Sequence, residues 1–301
     1  MHLKYRPEID GLRAISIIAV LIYHSDLPIF GRYLFNGGFI GVDIFFIISG
    51  YLIGSIIINE LNSDKKFSYI KFLKRRIRRI LPVLFFIILA SLLFSYLYIL
   101  PENFIDISKS TLSSVLFSSN YYFSYAGDVY DAADSRYLPF LHTWSLSVEE
   151  QFYIIFPIVS LLIFKYHRQH FAKILVLIIL LSFFIAVYFS TNYPTYNFYS
   201  LPSRAWEILI GVCIAKYEIY NNGFPKIKNR LLSNFITFGG FFLILLSFFI
   251  FNEEMLLPSY PTLLPIIGTS ILIIFAGNND LITKFLTNKI IVFCGLISYS
   301  L

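Results

Sequence analysis

Runs of roughly twenty mostly apolar residues recur along the whole chain, and they constrain its fold more than any other feature. An α-helix needs about 20 such residues to cross the ~30 Å hydrocarbon layer of a bilayer. Hydrophobic residues make up 57% of the 301 residues and charged residues only 14%, whereas soluble domains carry about 25% charged residues. A soluble fold of this length has too little core to bury so much apolar surface. The sequence therefore predicts an all-α, polytopic transmembrane helix bundle.

The predicted spans follow these apolar runs, and together they form one domain over residues 1–301. We place spans near residues 12–29, 38–58, 80–100, 143–164, 171–190, 203–220, 231–251 and 259–277, and a ninth begins at Ile290. The stretch 108–125 is rich in Ser, Asn and Tyr and predicts a re-entrant or interfacial helix. The run from Ile290 to Leu301 reaches only about 18 Å as a helix. We therefore expect the last span to be incomplete and the chain to be truncated at its C-terminus.

The basic residues indicate how the spans are oriented. If the spans alternate from a cytoplasmic N-terminus, all but four of the 24 Lys and Arg residues fall on the cytoplasmic side, as the positive-inside rule requires. The exceptions are Arg32, Lys109, Arg136 and Arg204. The charge distribution thus predicts a multi-pass protein with a cytoplasmic N-terminus. It also accounts for the net charge of +6 without nucleic-acid binding.

The first predicted span carries Arg13 and His24. At 100° per residue the two positions share one face of a helix, separated by roughly 16 Å along its axis. Ionisable side chains within a span are costly and are functional candidates, so this face predicts one wall of a polar chamber. The alternative is that Arg13 extends to the interface and His24 only marks the outer boundary.

The third span follows a basic segment that includes Arg76 and Arg79. These two arginines are three residues apart and project from one side of a helix start. Guanidinium groups in such an arrangement bind phosphate bidentately, and a nucleotide-bearing donor carries several phosphates. Binding of anionic lipid headgroups explains the segment equally well.

A third polar cluster runs from His142 to Tyr153 at the start of an apolar span, and it includes Glu149 and Glu150. On a helix, His142 and Glu149 lie on one face about 10 Å apart. The cluster predicts either a polar seam between helices or a carboxylate that supports chemistry. Arg204 and Glu207 form an i,i+3 pair, which we interpret as structural.

Five ordered motifs across the chain resemble the membrane-bound acyltransferase 3 family. They are Asp10-Gly-Leu-Arg13 with His24, Gly41-Val-Asp-Ile-Phe-Phe-Ile-Ile-Ser-Gly50, Arg76-Ile-Arg-Arg79, the His142–Tyr153 block, and Ser203-Arg-Ala-Trp-Glu-Ile-Leu-Ile-Gly211. The resemblance implies a bundle of about ten helices in the bacterial inner membrane. It also implies O-acetylation of an extracytoplasmic glycan, such as lipopolysaccharide O-antigen, capsule, exopolysaccharide or peptidoglycan. Related chains often carry a C-terminal SGNH-type hydrolase-like domain and continue past the segment that ends here at Leu301.

The resemblance also assigns roles to individual residues. It implies that His24 is the catalytic imidazole with Arg13 as its companion, and that Glu149, in preference to Glu150, is the essential acid. Arg76 and Arg79 become contacts for acetyl-CoA, the co-substrate, and no metal is expected. The expected partners are membrane lipid, acetyl-CoA and the glycan acceptor, while the oligomeric state stays open. Two other interpretations remain: a polytopic transporter of a small solute, whose path also needs buried polar groups, and an inactive acyltransferase remnant.

Overall fold

Helices account for almost all of the regular structure in the computed structural model, which describes residues 5–25, 28–29, 32–33, 35–63, 67–126, 139–277 and 280–298. The helices are α1 (Pro7–His24), α2 (Gly41–Asn62), α3 (Tyr69–Tyr98), α4 (Pro101–Val115), α5 (Ser119–Ala126), α6 (Thr143–His167), α7 (Phe171–Asn192), α8 (Pro194–Tyr199), α9 (Leu201–Tyr220), α10 (Arg230–Ile250), α11 (Leu263–Phe275), α12 (Leu281–Leu286) and α13 (Lys289–Ile297). Strands β1 (Pro28–Ile29) and β2 (Arg32–Tyr33) form a small antiparallel hairpin after α1. The predicted all-helical fold class is confirmed.

Membrane crossing is supported by the length and composition of particular helices. Within the described ranges, four helical segments are long and apolar enough to cross a membrane: Gly38–Asn62, Tyr69–Tyr98, Thr143–Asn192 and Arg230–Ile250. The third of these contains α6 and α7. The chain is therefore a membrane protein, while the predicted number of nine spans stays a prediction.

Several predicted bounds differ from the helices observed. The first helix begins at Pro7 and ends at His24, so Ser25 and the strand residues 28–29 of the predicted span do not continue it, while residues 26–27 lie outside the described residues. Helix α3 starts at Tyr69, well before residue 80, because the Ser68 side chain accepts a hydrogen bond from the backbone N–H of Lys71 at its N-terminus. The stretch 108–125 is divided between α4 and α5, and Phe117 between them has a positive φ of 51°. Neither of these two helices is long enough to cross a bilayer.

Glycines bring α2 and α9 into backbone contact at the centre of the bundle. A Cβ atom at Gly50 would collide with the backbone of Ile208, and one at Gly211 would collide with the backbone of Ile47 and Tyr51. Small residues let membrane helices approach closely. In lipid the hydrophobic effect does not hold helices together, so close van der Waals packing stabilises the contact. The contact fixes the relative position of the two helices that carry Ser49 and Arg204.

Contacts between helix ends agree with the alternating orientation of the spans. Arg168, between α6 and α7, donates a 3.2 Å hydrogen bond to Asn62 at the end of α2. Arg6, before α1, donates a 2.6 Å bond to the carbonyl of Ile273 near the end of α11. These are ends that the charge distribution assigns to one side of the membrane. Arg136, one of the four basic residues that the rule does not place on the cytoplasmic side, and the terminal residues 299–301 lie outside the described residues.

Candidate active site

Arg13 lies inside the bundle, in the half of α1 that other helices cover. The residue is 9% exposed, and its guanidinium is 3.6 Å from the Asp10 carboxylate. It is also within electrostatic range of Arg79, Glu149 and Tyr153, which lie on α3 and α6. An arginine that merely extends to the membrane interface would be exposed, so this alternative does not fit the buried Arg13.

Glu149 is held by two hydroxyl groups from different helices. Ser49 on α2 donates a hydrogen bond of 2.9 Å to Oε1, and Tyr153 on α6 donates one of 2.8 Å to Oε2. Arg13 and Arg76 are both within electrostatic range of the carboxylate. The carboxylate thus has a defined orientation beside two cations. Hydrogen bonds to a charged group are among the stronger ones in proteins.

The two predicted phosphate-binding arginines approach this level from α3, Arg76 near Glu149 and Arg79 near Arg13. Arg76 is half-buried, and its guanidinium lies 5.6 Å from the centre of the Tyr153 ring and 5.8 Å from that of Phe72. Arg79 is exposed on the same helix and is within electrostatic range of Arg13. The structure therefore gathers four of the five predicted site residues, Arg13, Arg76, Arg79 and Glu149, in one cluster. We call these four residues and Tyr153 the cationic cluster.

His24 lies at the other end of α1, roughly 16 Å from Arg13 by helical rise. Its imidazole is exposed, and its ring centre is 4.9 Å from that of Tyr23. His142, at the start of α6, is within electrostatic range of His24. The predicted site is therefore arranged on two levels, with imidazoles at one end of α1 and the cationic cluster nearer the other. Glu149 is within electrostatic range of Arg13, which places this carboxylate on the level of Arg13.

His142 lies at the start of α6, close to His24. Its side chain is exposed, yet closely surrounding protein, and secondarily the nearby His24, lower the pKa of its imidazole. An imidazole in this position stays neutral at a lower pH than an ordinary histidine does.

The block from His142 to Tyr153 also forms a polar seam, which is one of the two predicted interpretations. The other, that Glu149 supports chemistry, stays a prediction. Thr143 and Ser147 bond to Ser119 at 3.0 and 2.7 Å, and Gln151 donates 2.8 Å bonds to Asn120 and to the Phe117 carbonyl. These residues join α6 to α5. Glu149 points instead to Ser49 on α2.

Arg204 makes a buried ion cluster that the sequence predicted only in part. It is 3.2 Å from Glu207, as the i,i+3 spacing suggested, and 2.6 Å from Asp43 on α2. Its guanidinium also lies 5.0 Å from the Phe198 ring and 5.5 Å from the Trp144 ring. All three charged groups are nearly inaccessible to solvent. The cluster ties α2, α9 and the start of α6 together, which supports the structural interpretation.

Sequence reasoning missed Ser49, Tyr153 and Asp43 as site or supporting residues. Each lies within a motif that had been recognised, but residue spacing along one helix does not show which helix it faces. No group of three His, Cys, Asp or Glu side chains in the described part of the chain is placed to hold a metal ion.

Comparison with known proteins decides the family. Residues 6–301 match the family described as an acyltransferase domain. The chain belongs to this acyltransferase family. The resemblance inferred from the five motifs is therefore confirmed over nearly the whole chain.

Named relatives agree with this assignment. O-acetyltransferase OatA of Staphylococcus aureus strain NCTC 8325 / PS 47 is 31% identical over 314 residues, covering 99% of this chain and 49% of OatA. Putative O-acetyltransferase SAS0844 of Staphylococcus aureus strain MSSA476 is 30% identical over 309 residues, covering 99% of this chain and 50% of the relative. The acyltransferase chain thus spans about half the length of these curated relatives. No solved structure matches it significantly.

Proposed function

We propose that this acyltransferase moves an acetyl group from cytoplasmic acetyl-CoA to a hydroxyl of an extracytoplasmic glycan. Membership of the family and the names of the O-acetyltransferase relatives support acyl transfer over solute transport. The positive-inside distribution supports a cytoplasmic N-terminus, and the bacterial source of the relatives supports residence in the inner (plasma) membrane of a bacterium. The acceptor class comprises O-antigen, capsule, exopolysaccharide and peptidoglycan.

The observation that carries this proposal is the two-level arrangement along α1. Helix α1 carries Arg13, which belongs to the cationic cluster, and His24, which lies near the outer end of the helix roughly 16 Å away. A donor that carries phosphates enters from the inside, while an acceptor hydroxyl arrives from the outside. In a reaction across a permeability barrier, the donor and the acceptor come from opposite sides. Helix α1 carries one candidate residue for each side.

In this proposal, Arg76 and Arg79 bind phosphate groups of acetyl-CoA. Their guanidinium groups offer the forked donors that fit phosphate oxygens. Glu149 balances the charge of Arg13 and Arg76 and fixes their orientation, since Ser49 and Tyr153 hold its carboxylate in place. Its role is therefore to position the donor-binding cations.

Two chemical routes are open at His24. In the first, the neutral imidazole removes the proton of the glycan hydroxyl as its oxygen attacks the thioester carbonyl. A C–O bond forms, the C–S bond breaks, and the coenzyme A thiolate leaves and takes up a proton. In the second route, an imidazole nitrogen attacks the thioester carbonyl, so that a C–N bond forms, the C–S bond breaks and the coenzyme A thiolate leaves. The glycan oxygen then attacks the acyl-imidazole, the C–O bond forms as the C–N bond breaks, and the released imidazole takes up the hydroxyl proton.

Transfer of labelled acetyl groups in membranes that contain the chain tests the function. We expect label from acetyl-CoA to enter glycan, and His24→Ala to slow the transfer by roughly 10²–10⁴-fold, which is the usual contribution of a general acid or base. His170→Ala is the matched control, because His170 is an exposed histidine beyond the far end of α6. Transfer by His24→Ala at the rate of the unchanged chain would overturn the assignment of His24.

Rapid quenching during active turnover separates the two routes. The relay predicts a transient acetyl group on a peptide that contains His24, and this label should be chased away by added acceptor. Direct base catalysis predicts active turnover with no labelled His24 at any time.

A further inference from the structure

A cavity of about 180 Å³ opens beside Tyr23, the neighbour of His24 on α1, and outside the cationic cluster. Its walls include Tyr23, Phe39, Phe198 and Tyr199, and its rim carries Glu253 and Glu254. The volume is more than ten times the ~10–15 Å³ that one water molecule requires, so the cavity accommodates a molecule of several heavy atoms. Tyr23 connects it to the proposed catalytic residue, since the rings of Tyr23 and His24 are 4.9 Å apart.

The walls of this cavity are held rigidly from behind. Arg204 donates a 3.1 Å hydrogen bond to the Phe198 carbonyl, and the Trp144 ring packs 4.8 Å from the Phe198 ring. The buried side chain of Asn197 donates a 2.9 Å bond to the carbonyl of Pro258, which joins α8 to the segment that carries the two glutamates. The buried Arg204 cluster thus supports a preformed aromatic wall, and preformed walls reduce the ordering cost of binding.

The cavity combines two recognition features that suit a carbohydrate. Aromatic faces pack against the apolar C–H faces of a sugar ring, and carboxylate oxygens accept hydrogen bonds from its hydroxyl groups. Glu253 and Glu254 are both exposed, so a bound sugar can reach their carboxylate oxygens. The Tyr23 hydroxyl donates a long, 3.2 Å hydrogen bond to Glu253, which a sugar hydroxyl can replace.

The same features argue against the other expected ligand. Acetyl-CoA carries several phosphates, and two carboxylates at the rim repel phosphate groups. The cations suited to phosphate lie in the cationic cluster, at the opposite end of α1. The cavity and the cluster are therefore complementary in charge to different substrates.

We propose that this cavity is the acceptor subsite, and that it binds a neutral sugar ring of the glycan with one hydroxyl directed to His24. This inference rests on the proposed function in one respect, that the bound sugar receives the acetyl group. Sugar binding itself is measured without acetyl-CoA. The aromatic walls supply the stacking surface, and Glu253 and Glu254 select a ring that bears hydroxyl groups and no anionic group.

Saturation-transfer difference NMR on the full chain tests this inference. The chain is placed in lipid nanodiscs, since sugar-based detergents would compete, and is offered chitotetraose, cellotetraose and maltotetraose in turn. We expect at least one of these tetrasaccharides to receive saturation. The double substitution Glu253→Gln with Glu254→Gln, and separately Phe198→Leu, should each weaken binding at least tenfold. Asp106→Asn is the control and should bind as the unchanged chain does, because Asp106 is an exposed acid on α4 that is paired with Lys109.

Two results would overturn the inference. One is the absence of saturation transfer to all three tetrasaccharides. The other is equal binding by the unchanged chain and both sets of variants, provided that size-exclusion profiles show the variants to be folded. Failure of the proposed function is a different result, in which sugar binds at the cavity but membranes transfer no acetyl group through His24.

Discussion

The hydroxyl of Tyr153 donates a 2.8 Å hydrogen bond to Oε2 of Glu149, one turn earlier on the same helix. Ser49 donates to the other carboxylate oxygen from α2. This pair of bonds fixes the carboxylate that faces Arg13 and Arg76. If Glu149 positions these cations, the loss of one of the two hydroxyl groups that bond to it should weaken the use of acetyl-CoA without preventing folding.

Tyr153→Phe tests this consequence, because it removes the hydroxyl and leaves the ring beneath Arg76. A hydrogen bond to a charged group contributes about 1.5–3 kcal/mol, so we expect kcat/KM for acetyl-CoA to fall roughly 10- to 100-fold. The measurement is acetyl transfer in membranes over a range of donor concentrations. Tyr69→Phe is the matched control, since Tyr69 donates a 3.2 Å bond to the Ile154 carbonyl away from Glu149. Equal losses in the two variants would contradict the positioning role.

Arg76 and Arg79 are expected to differ from their neighbour Arg75 in how they tolerate lysine. A lysine keeps the positive charge but loses the planar fork that binds phosphate bidentately. Arg76→Lys and Arg79→Lys should each raise the KM for acetyl-CoA at least fivefold. Arg75→Lys should leave it unchanged, because Arg75 is engaged with Glu60 at 2.9 Å on the surface. Steady-state kinetics with labelled acetyl-CoA decides this, and an equal effect at all three positions would indicate a general lipid anchor.

The fold class was predictable because lipid imposes a simple requirement on the sequence. Backbone groups in hydrocarbon must bond within their own helix, so long apolar runs translate directly into helices such as α2, α6 and α7. Helix ends were less predictable where polar residues are buried by other helices. The start of α1 is an example, since Asp10 and Arg13 look like interfacial residues in sequence but lie inside the bundle.

The site was predictable in its residue types but not in its grouping. Helical periodicity places Arg13 and His24 on one face, yet it contains no information on which other helices meet that face. The structure supplies this by bringing α2, α3 and α6 around the Arg13 level. The partnership of Asp43 with Arg204 is hidden for the same reason, because the two residues are far apart in sequence and meet only where α2 crosses α9.

The pKa of His142 makes stability depend on pH in a defined direction. Surrounding protein and the nearby His24 lower this pKa, so the folded chain holds the imidazole neutral at a pH where the unfolded chain protonates it. This contribution to stability is complete above the unfolded value of about 6.5 and is lost as the pH falls from there toward the lowered pKa. We therefore expect the unfolding temperature of the unchanged chain to fall more steeply below about pH 6.5 than that of His142→Gln.

Thermal unfolding in detergent across about pH 5 to 8 measures this difference. His167→Gln is the control, because His167 is exposed at the opposite end of α6, and its curve should run parallel to that of the unchanged chain. If His142→Gln also gave a parallel curve, protonation of His142 would not be coupled to folding.

The contact between α2 and α9 should tolerate no side chain at Gly50. A Cβ there meets backbone atoms of Ile208, which cannot move aside as a flexible side chain can, so the helices must separate and lose their packing. We expect Gly50→Ala to destabilise the chain by about 1–3 kcal/mol, the usual cost of overpacking. Gly239→Ala on α10 is the matched substitution, since its Cβ would meet no atom within 4 Å and alanine favours a helix by roughly 0.5–1 kcal/mol over glycine. Thermal unfolding in one detergent should therefore shift in opposite directions for the two variants. A shift of Gly50→Ala to higher temperature would show that the two backbones are not in contact at this position.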